Sequence, residues 1–282
     1  MDIIHTFTLA STSIIDDIIH FPWGRMSLIG CLIYVILCIY AWIFADRILF
    51  PAPKNPGYNH DDSVFFLTTT NGSRIACKHL ISEKHKGITI LYSHGNAEDI
   101  GRVEDFLQTW LADGWSVFVY DYPGYGHSSG KPSEHGCYDA IDAAYEHMCE
   151  KLAIPADKIV VWGRSLGTGP SCYLAEREKF GGLILETPFI TAYRTVTEIT
   201  VLPWDRFRNI QRAPFIKNKS LVIHGHKDEI VPFRHGKRLF KALPEPKQLL
   251  EFIYARHNDL PEIGGEKYRD GINHFLKDVL GG

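Results

Sequence analysis

Past a Pro-rich joint, PAPKNPG at 51–57, short runs of β-branched and aromatic residues alternate with longer stretches of helical period, and this alternation constrains the fold more than any other feature of the chain. Strands that take turns with helices pack as a mostly parallel sheet with helices on both faces, so the sequence predicts an α/β fold. Strands are expected near 63–69, 74–81, 88–93, 116–120, 158–162, 182–185, 221–224 and 248–254, and helices near 97–112, 134–152, 166–177, 234–242 and 265–280. Only the turn Asn71-Gly72 separates the first two strands, which predicts an antiparallel hairpin; every later connection is expected to be β-α-β. A chain of 282 residues is long enough for one large core, and a single α/β domain over 46–282 is the simplest partition.

Upstream of the joint, residues 26–45 read MSLIGCLIYVILCIYAWIFA without one charged side chain. At about 1.5 Å of rise per residue such a helix covers the roughly 30 Å of a bilayer core, so a transmembrane helix is expected there. A cleaved signal peptide is the competing reading. It needs a shorter apolar stretch behind a basic leader, whereas Asp2, Asp16 and Asp17 precede this one and Asp46-Arg47 closes it. Within 1–25, Ile4, Phe7, Ile14, Ile15, Ile18 and Phe21 recur at roughly helical spacing up to Pro22, the pattern of an amphipathic helix at a membrane surface or of a disordered leader. Arg25 on one side, against Arg47 and Lys54 on the other, tips the positive-inside balance slightly toward a cytoplasmic catalytic domain. Sequons at Asn71 and Asn218 would accept glycans if the domain faced a secretory lumen.

A formal net charge of -3 and the lack of any Lys/Arg run argue against nucleic acid as a partner. Six cysteines, at 31, 38, 77, 137, 149 and 172, have neither the CxxC spacing of a zinc site nor the density of a disulfide scaffold, and read as reduced thiols. Neither a metal nor a cofactor is expected: the Gly-rich loop DYPGYGHSSG at 121–130 lacks the G-x-x-x-x-G-K-[ST] phosphate cradle, which leaves it the task of shaping a site, with Asp121 and Tyr122 structural or lining the pocket.

The segment KIVVWGRSLGTG sets Gly163-Arg164-Ser165-Leu166-Gly167 between a buried strand and a helix, the context in which G-x-S-x-G forms a nucleophile elbow. A serine hydroxyl attacks only when a base takes its proton, so the reading requires a histidine and an acid elsewhere. Asp228, in IHGHKDEIVP, follows one predicted strand, and His257, in YARHNDLP, follows the last, so that strand ends at one sheet edge bring acid and base to Ser165. A capping carboxylate and a surface histidine are the plainer readings of these two. Glu186, at the end of GGLILE, is the alternative acid, whereas His224 and His226 lie too close to Asp228 in sequence to serve as its base. A developing oxyanion needs two preorganised donors, for which the backbone N–H groups of Leu166 and of Asn96, in the turn His94-Gly95-Asn96, are the candidates.

From about residue 50 to 280 the motifs SHGNAEDIG, YDYPGYGHSSGKPSE, GRSLGTGP, ETPF, HGHKDEIVPFRHG and RHNDL occur in the order found in α/β-hydrolase-domain proteins grouped with the yeast bud-emergence suppressor and the eukaryotic protein depalmitoylases, which the chain resembles. The resemblance implies the α/β-hydrolase fold and hydrolysis of lipid or acyl-protein esters. It carries the nucleophile to Ser165, the acid to Asp228, the base to His257 and the oxyanion donors to Asn96 and Leu166. Two residues depart from the family's frequent pattern: Arg164 before the serine, and Arg256, often Gly, before the histidine. About 30 residues between the predicted strands at 182–185 and 221–224 leave room for a short cap, whose Phe189, Ile190, Val201, Leu202, Trp204 and Phe207 suit either a small cap core or an acyl-chain channel. The implied partners are an acyl ester or thioester and a lipid bilayer. A serine peptidase of the same fold and a catalytically silent membrane scaffold remain open beside the esterase reading, the second opposed by Ser165, Asp228 and His257 all being in place.

Overall fold

The computed structural model describes residues 22–197 and 199–281, and the chain divides after Ile48 into two compact units. In the first, helix α1 (Pro22–Leu49) starts on a proline, whose missing N–H costs nothing at a helix's first turn, and contains the whole of the expected apolar run. Ile29, Leu32, Val35 and Leu37 project on different sides and each is half exposed or more, so the helix has no polar face to turn toward water. It is the one helix among the described residues long and apolar enough to cross a membrane. The expectation of an amphipathic leader falls on residues 1–21, outside the described residues.

The second unit carries one eight-stranded sheet in the order β1-β2-β4-β3-β5-β6-β7-β8, made of β1 (Phe65–Thr68), β2 (Arg74–Leu80), β3 (Thr89–Ser93), β4 (Ser116–Tyr120), β5 (Ile159–Arg164), β6 (Gly182–Glu186), β7 (Ser220–Gly225) and β8 (Lys247–Phe252). The β1–β2 hairpin is antiparallel, with Phe65 opposite Cys77, and the strands from β3 onward run parallel. Every residue of β3 and β4 is buried, as a parallel sheet covered on both faces requires. Alternate side chains feed opposite cores. Ile90, Tyr92, Val160, Trp162, Ile184 and Ile223 pack with α2 (Glu104–Ala112) and α7 (Leu260–Gly281) through Leu107, Trp110, Tyr268 and Phe275. Leu91, Val161, Leu185 and Val222 pack with α3 (Glu134–Glu150), α4 (Thr168–Arg177) and α6 (Arg234–Ala242) through Ile141, Cys172 and Leu239.

Three sequence expectations are corrected in detail. The connection from β2 to β3 holds no helix, because residues 81–88 are too few for one, and β2 pairs antiparallel with β4. Helix α2 begins at Glu104 rather than at 97: Ala97 takes a left-handed φ of 59°, and buried Asp99 accepts the N–H groups of Gly57 at 2.8 Å and Arg102 at 3.0 Å, holding 97–103 as a loop. Helix α7 starts five residues earlier than expected and breaks at Gly265, whose φ of 49° a residue with a side chain would resist.

Between β6 and β7 the chain forms a small cap whose described residues include two 3₁₀ turns and the short helix α5 (Asn209–Arg212). The apolar residues there divide: Phe189, Ile190 and Phe207 are buried, Phe189 and Phe207 within the same core as Tyr138 and Leu185, while Val201 is 47% exposed and Leu202 and Trp204 are half-buried. Asp205 stitches the cap by accepting from Thr191 Oγ1 at 2.6 Å and the Tyr193 N–H at 3.0 Å, and Glu134 accepts the Phe207 N–H at 2.7 Å. Of the two sequons, Asn71 is exposed in the hairpin turn whereas Asn218 is only 4% exposed, so the folded chain offers no room for a glycan at the latter.

Candidate active site

β5 ends at Arg164, and Ser165 turns the chain at once into a 3₁₀ turn and then α4, with a left-handed φ of 49° that a serine adopts only under constraint. The constraint is close packing. A Cβ on Gly163 would overlap the Gly167 carbonyl and Ser171 Oγ, and one on Gly167 would overlap the Ser93 and His94 carbonyls at the end of β3. The two glycines of G-x-S-x-G are therefore the positions where the backbones of strand, turn and helix touch, and they push Ser165 up at the carboxyl ends of the strands, where open α/β sheets bind ligands.

The loops after β7 and β8 bring the acid and the histidine to the same edge. His257 Nε2 lies 2.9 Å from Ser165 Oγ, and His257 Nδ1 lies 2.8 Å from Asp228 Oδ2. Asp228 Oδ1 accepts the N–H groups of Ile230 at 2.9 Å and Val231 at 2.7 Å, which fixes the carboxylate plane. Burial pushes the Asp228 carboxyl up, but hydrogen bonds from His224 and His257 outweigh it and hold the group well below the usual carboxylate range. The alternative acid is placed elsewhere: Glu186 Oε2 accepts from Trp162 Nε1 at 3.1 Å and Tyr268 Oη at 3.0 Å, and Oε1 lies 3.7 Å from Arg164 Nε.

His224 is the partner that the sequence did not reveal. Four residues before Asp228, its Nε2 donates to the Val231 carbonyl at 2.8 Å and sits 3.3 Å from Asp228 Oδ2, which braces the acid from the side opposite His257. Its closeness to Asp228 in the chain disqualified it as a base and for the same reason fits it to brace the loop.

The turn after β3 approaches the elbow closely enough that a Cβ on Gly95 would sit 3.7 Å from Ser165 Cβ. Its next residue, Asn96, is held by its side chain: Nδ2 donates to the Leu49 carbonyl at 2.6 Å and Oδ1 accepts from Tyr125 Oη at 2.7 Å. Leu166 follows the serine into the 3₁₀ turn and is buried. Asp121 and Tyr122 are fully buried, which removes them from the pocket lining and leaves them structural. Tyr122 Oη donates to the His94 carbonyl at 2.8 Å, and Asp121 accepts the Ile100 N–H at 2.9 Å and Tyr58 Oη at 2.5 Å, so both brace the 94–100 loop. Arg256 is exposed, with its N–H on Asp259 Oδ1 at 2.6 Å. Among the described residues no group of three or more His, Cys, Asp or Glu could hold a metal ion.

A parallel sheet with an antiparallel hairpin at one edge, a strained serine between β5 and its helix, and Asp and His on the loops after the last two strands together define an α/β hydrolase. The α/β-hydrolase fold family matches residues 88–204. Solved structures agree in fold: an esterase from Pyrococcus furiosus superposes with a TM-score of 0.68 at 16% identity over 80% of this chain and 98% of that one. A monoacylglycerol lipase from Paleococcus ferrophilus gives a TM-score of 0.58 at 20% identity over 72% of this chain and 98% of that one. In sequence the chain is similar to α/β-hydrolase domain-containing protein 17B of Xenopus tropicalis, 35% identical over 219 residues, 77% of this chain and 75% of that protein. The human 17B protein is 34% identical over the same shares. Protein aho-3 of Caenorhabditis elegans is 38% identical over 195 residues, 68% of this chain but only 59% of its own length. The chain belongs to the family of α/β-hydrolase domain-containing proteins that includes these 17B proteins.

Proposed function

We propose that this hydrolase cleaves esters or thioesters of acyl chains through an acyl-enzyme on Ser165, with His257 as general base and then general acid, Asp228 orienting the imidazole, and the backbone N–H groups of Asn96 and Leu166 receiving the oxyanion. The observation that carries the reading is the continuous chain from Ser165 Oγ through His257, 2.9 Å and 2.8 Å, to a carboxylate already fixed by two backbone N–H groups. With the Nδ1–H donated in a hydrogen bond to the Asp228 carboxylate, His257 Nε2 keeps a lone pair for the serine proton. The Ser165 oxygen adds to the acyl carbon while that proton passes to Nε2, and the negative charge collects on the former carbonyl oxygen. Collapse expels the alcohol or thiol, protonated by His257, and a water activated by the same nitrogen then releases the acid and restores Ser165.

The substrate class follows from the anchor and the cap. A helix over 26–45 that spans a bilayer would hold the catalytic domain, 46–282, at a surface where monoacylglycerols, lysophospholipids and S-acylated proteins are presented. The positive-inside balance favours the cytoplasmic face. Exposed Val201 and half-buried Leu202 in the cap suit an acyl chain. A peptidase reading would rest on the same triad and has no separate support. The test is Ser165→Ala: turnover of an acyl ester or thioester panel and labelling by a fluorophosphonate probe should both vanish while the melting transition stays. Undiminished labelling of the variant would place the nucleophile elsewhere, and turnover of peptides but not of esters would favour the peptidase.

A further inference from the structure

The residue before the nucleophile is a departure from the family's frequent pattern, and its side chain does more than fill space. Arg164 is mostly buried, with its guanidinium directed to three other strand ends. Nη1 pairs with Glu98 Oε1, and the other oxygen of Glu98 accepts the Gly95 N–H at 2.6 Å, in the turn that presents Asn96. Nη2 donates to Asn258 Oδ1 at 3.0 Å, on the residue after His257. Nε faces Glu186 Oε1 at 3.7 Å, and that carboxylate is anchored beneath by Trp162 and Tyr268. One planar, always charged side chain thus touches the loops after β3 and β8 and the end of β6, while its own backbone leads into Ser165. A lysine ammonium, with its donors on a single nitrogen, could not reach partners set as far apart as those of the three guanidinium nitrogens.

We infer that Arg164 is a positioning residue for the reaction: through Glu98 it sets the turn that carries the Asn96 oxyanion donor, and through Asn258 it sets the loop that carries His257, both relative to Ser165. The inference rests on the serine-hydrolase reading above. It accounts for why Glu186, a buried acid beside the nucleophile's strand, is turned away from His257: it is the fixed end against which the guanidinium is held. Because burial pushes the Glu186 carboxyl up, against the pull of Arg164, Tyr268 and Trp162, the pair must be removed together rather than one partner at a time.

The test uses the full chain and a soluble p-nitrophenyl ester. In Arg164→Met/Glu186→Gln, kcat should fall about 10- to 100-fold, the range expected when reacting groups shift by up to an ångström, with KM changed less than about threefold. A boronic acid that forms a tetrahedral adduct on the serine should lose affinity by the same factor as kcat/KM, a readout that mere loosening of the fold would not match. Glu98→Ala leaves the buried Arg164–Glu186 pair in place and should lose kcat in the same direction, and combining it with the double variant should cost less than the sum of the two losses, since both break the Arg164–Glu98 connection. Arg164→Lys should recover part of the rate. If the double variant shows no cooperative melt, Glu98→Ala decides alone. Full kcat with unchanged boronic-acid affinity in Glu98→Ala, or a loss confined to KM, would overturn the inference. If Ser165→Ala also turns over at the parent rate, the serine-hydrolase reading itself has failed, which these variants would not by themselves reveal.

Discussion

Asp228→Asn changes one atom, and the surroundings of the carboxylate determine what that does. Oδ1 is committed to the N–H groups of Ile230 and Val231, at 2.9 Å and 2.7 Å, so the amide oxygen must take that place. The new –NH₂ then faces His257 Nδ1, where Oδ2 stood at 2.8 Å, and His224 Nε2, where it stood at 3.3 Å. A donor cannot be met by a donor, so His257 moves its proton to Nε2 and turns the Nδ1 lone pair toward the amide. In that tautomer Nε2 donates to Ser165 Oγ, 2.9 Å away, when the proposed mechanism needs it to accept. The expected loss in kcat is about 10⁴-fold, or roughly 5.4 kcal/mol of barrier, as when a triad acid is neutralised without being displaced. Steady-state hydrolysis of a p-nitrophenyl ester measures it, fluorophosphonate labelling should slow in parallel, and circular dichroism should be unchanged. A folded Asp228→Asn protein within about tenfold of the parent rate would refute the proton path, and a larger loss in Glu186→Gln would transfer the acid's role there.

Gly167→Ala should be among the most damaging small changes in the chain, because its methyl would overlap the Ser93 and His94 carbonyls; the expected destabilisation is about 1–3 kcal/mol, read by urea unfolding, with kcat falling further than stability. Burial pushes buried His235 down to about 4, with nearby positive charge adding to it, while it accepts the Ile190 N–H at 3.4 Å. The unfolded chain therefore binds a proton there first, and stability should fall as pH drops from about 6.5 toward 4, by at most about 1.4 kcal/mol per pH unit. His235→Gln should flatten that slope in urea midpoints taken at pH 7, 6 and 5; an unchanged slope would refute the assignment. A chain beginning at Leu49 should fold and hydrolyse a soluble ester but lose activity on substrates embedded in vesicles. Starting at Ala52 also removes buried Phe50, at a cost of about 3–5 kcal/mol, and should damage both activities.

The strands were legible because parallel strands buried on both faces must be apolar throughout, and segments such as TILYS and SVFVY announce that in their composition. The elbow was legible because two backbone contacts demand glycine at fixed offsets from the serine. Less visible was the start of α2, where the run after Ala97 has acceptable helical periodicity but buried Asp99 binds Gly57, 42 residues away, and tertiary contact overrides local preference. The kink at Gly265 was hidden for a similar reason, since a glycine within a helical pattern marks either a break or mere tolerance. Arg164 illustrates the general limit. As a letter between Gly163 and Ser165 it looked like a departure from pattern, because its partners Glu98, Glu186 and Asn258 are as far as 94 residues away.

The bond between Asn96 Nδ2 and the Leu49 carbonyl also has a mechanical meaning. Leu49 is the first residue of the second unit, and Phe50, packed edge-on at 6.0 Å from Phe207, is the first to enter its core. Force applied to the polypeptide ahead of Leu49, by a moving bilayer or by tweezers on an N-terminal handle, would therefore be borne by the Asn96 side chain before it reached the sheet. In a pulling experiment the proposed oxyanion turn would act as the fuse, yielding while the parallel strands behind it still held.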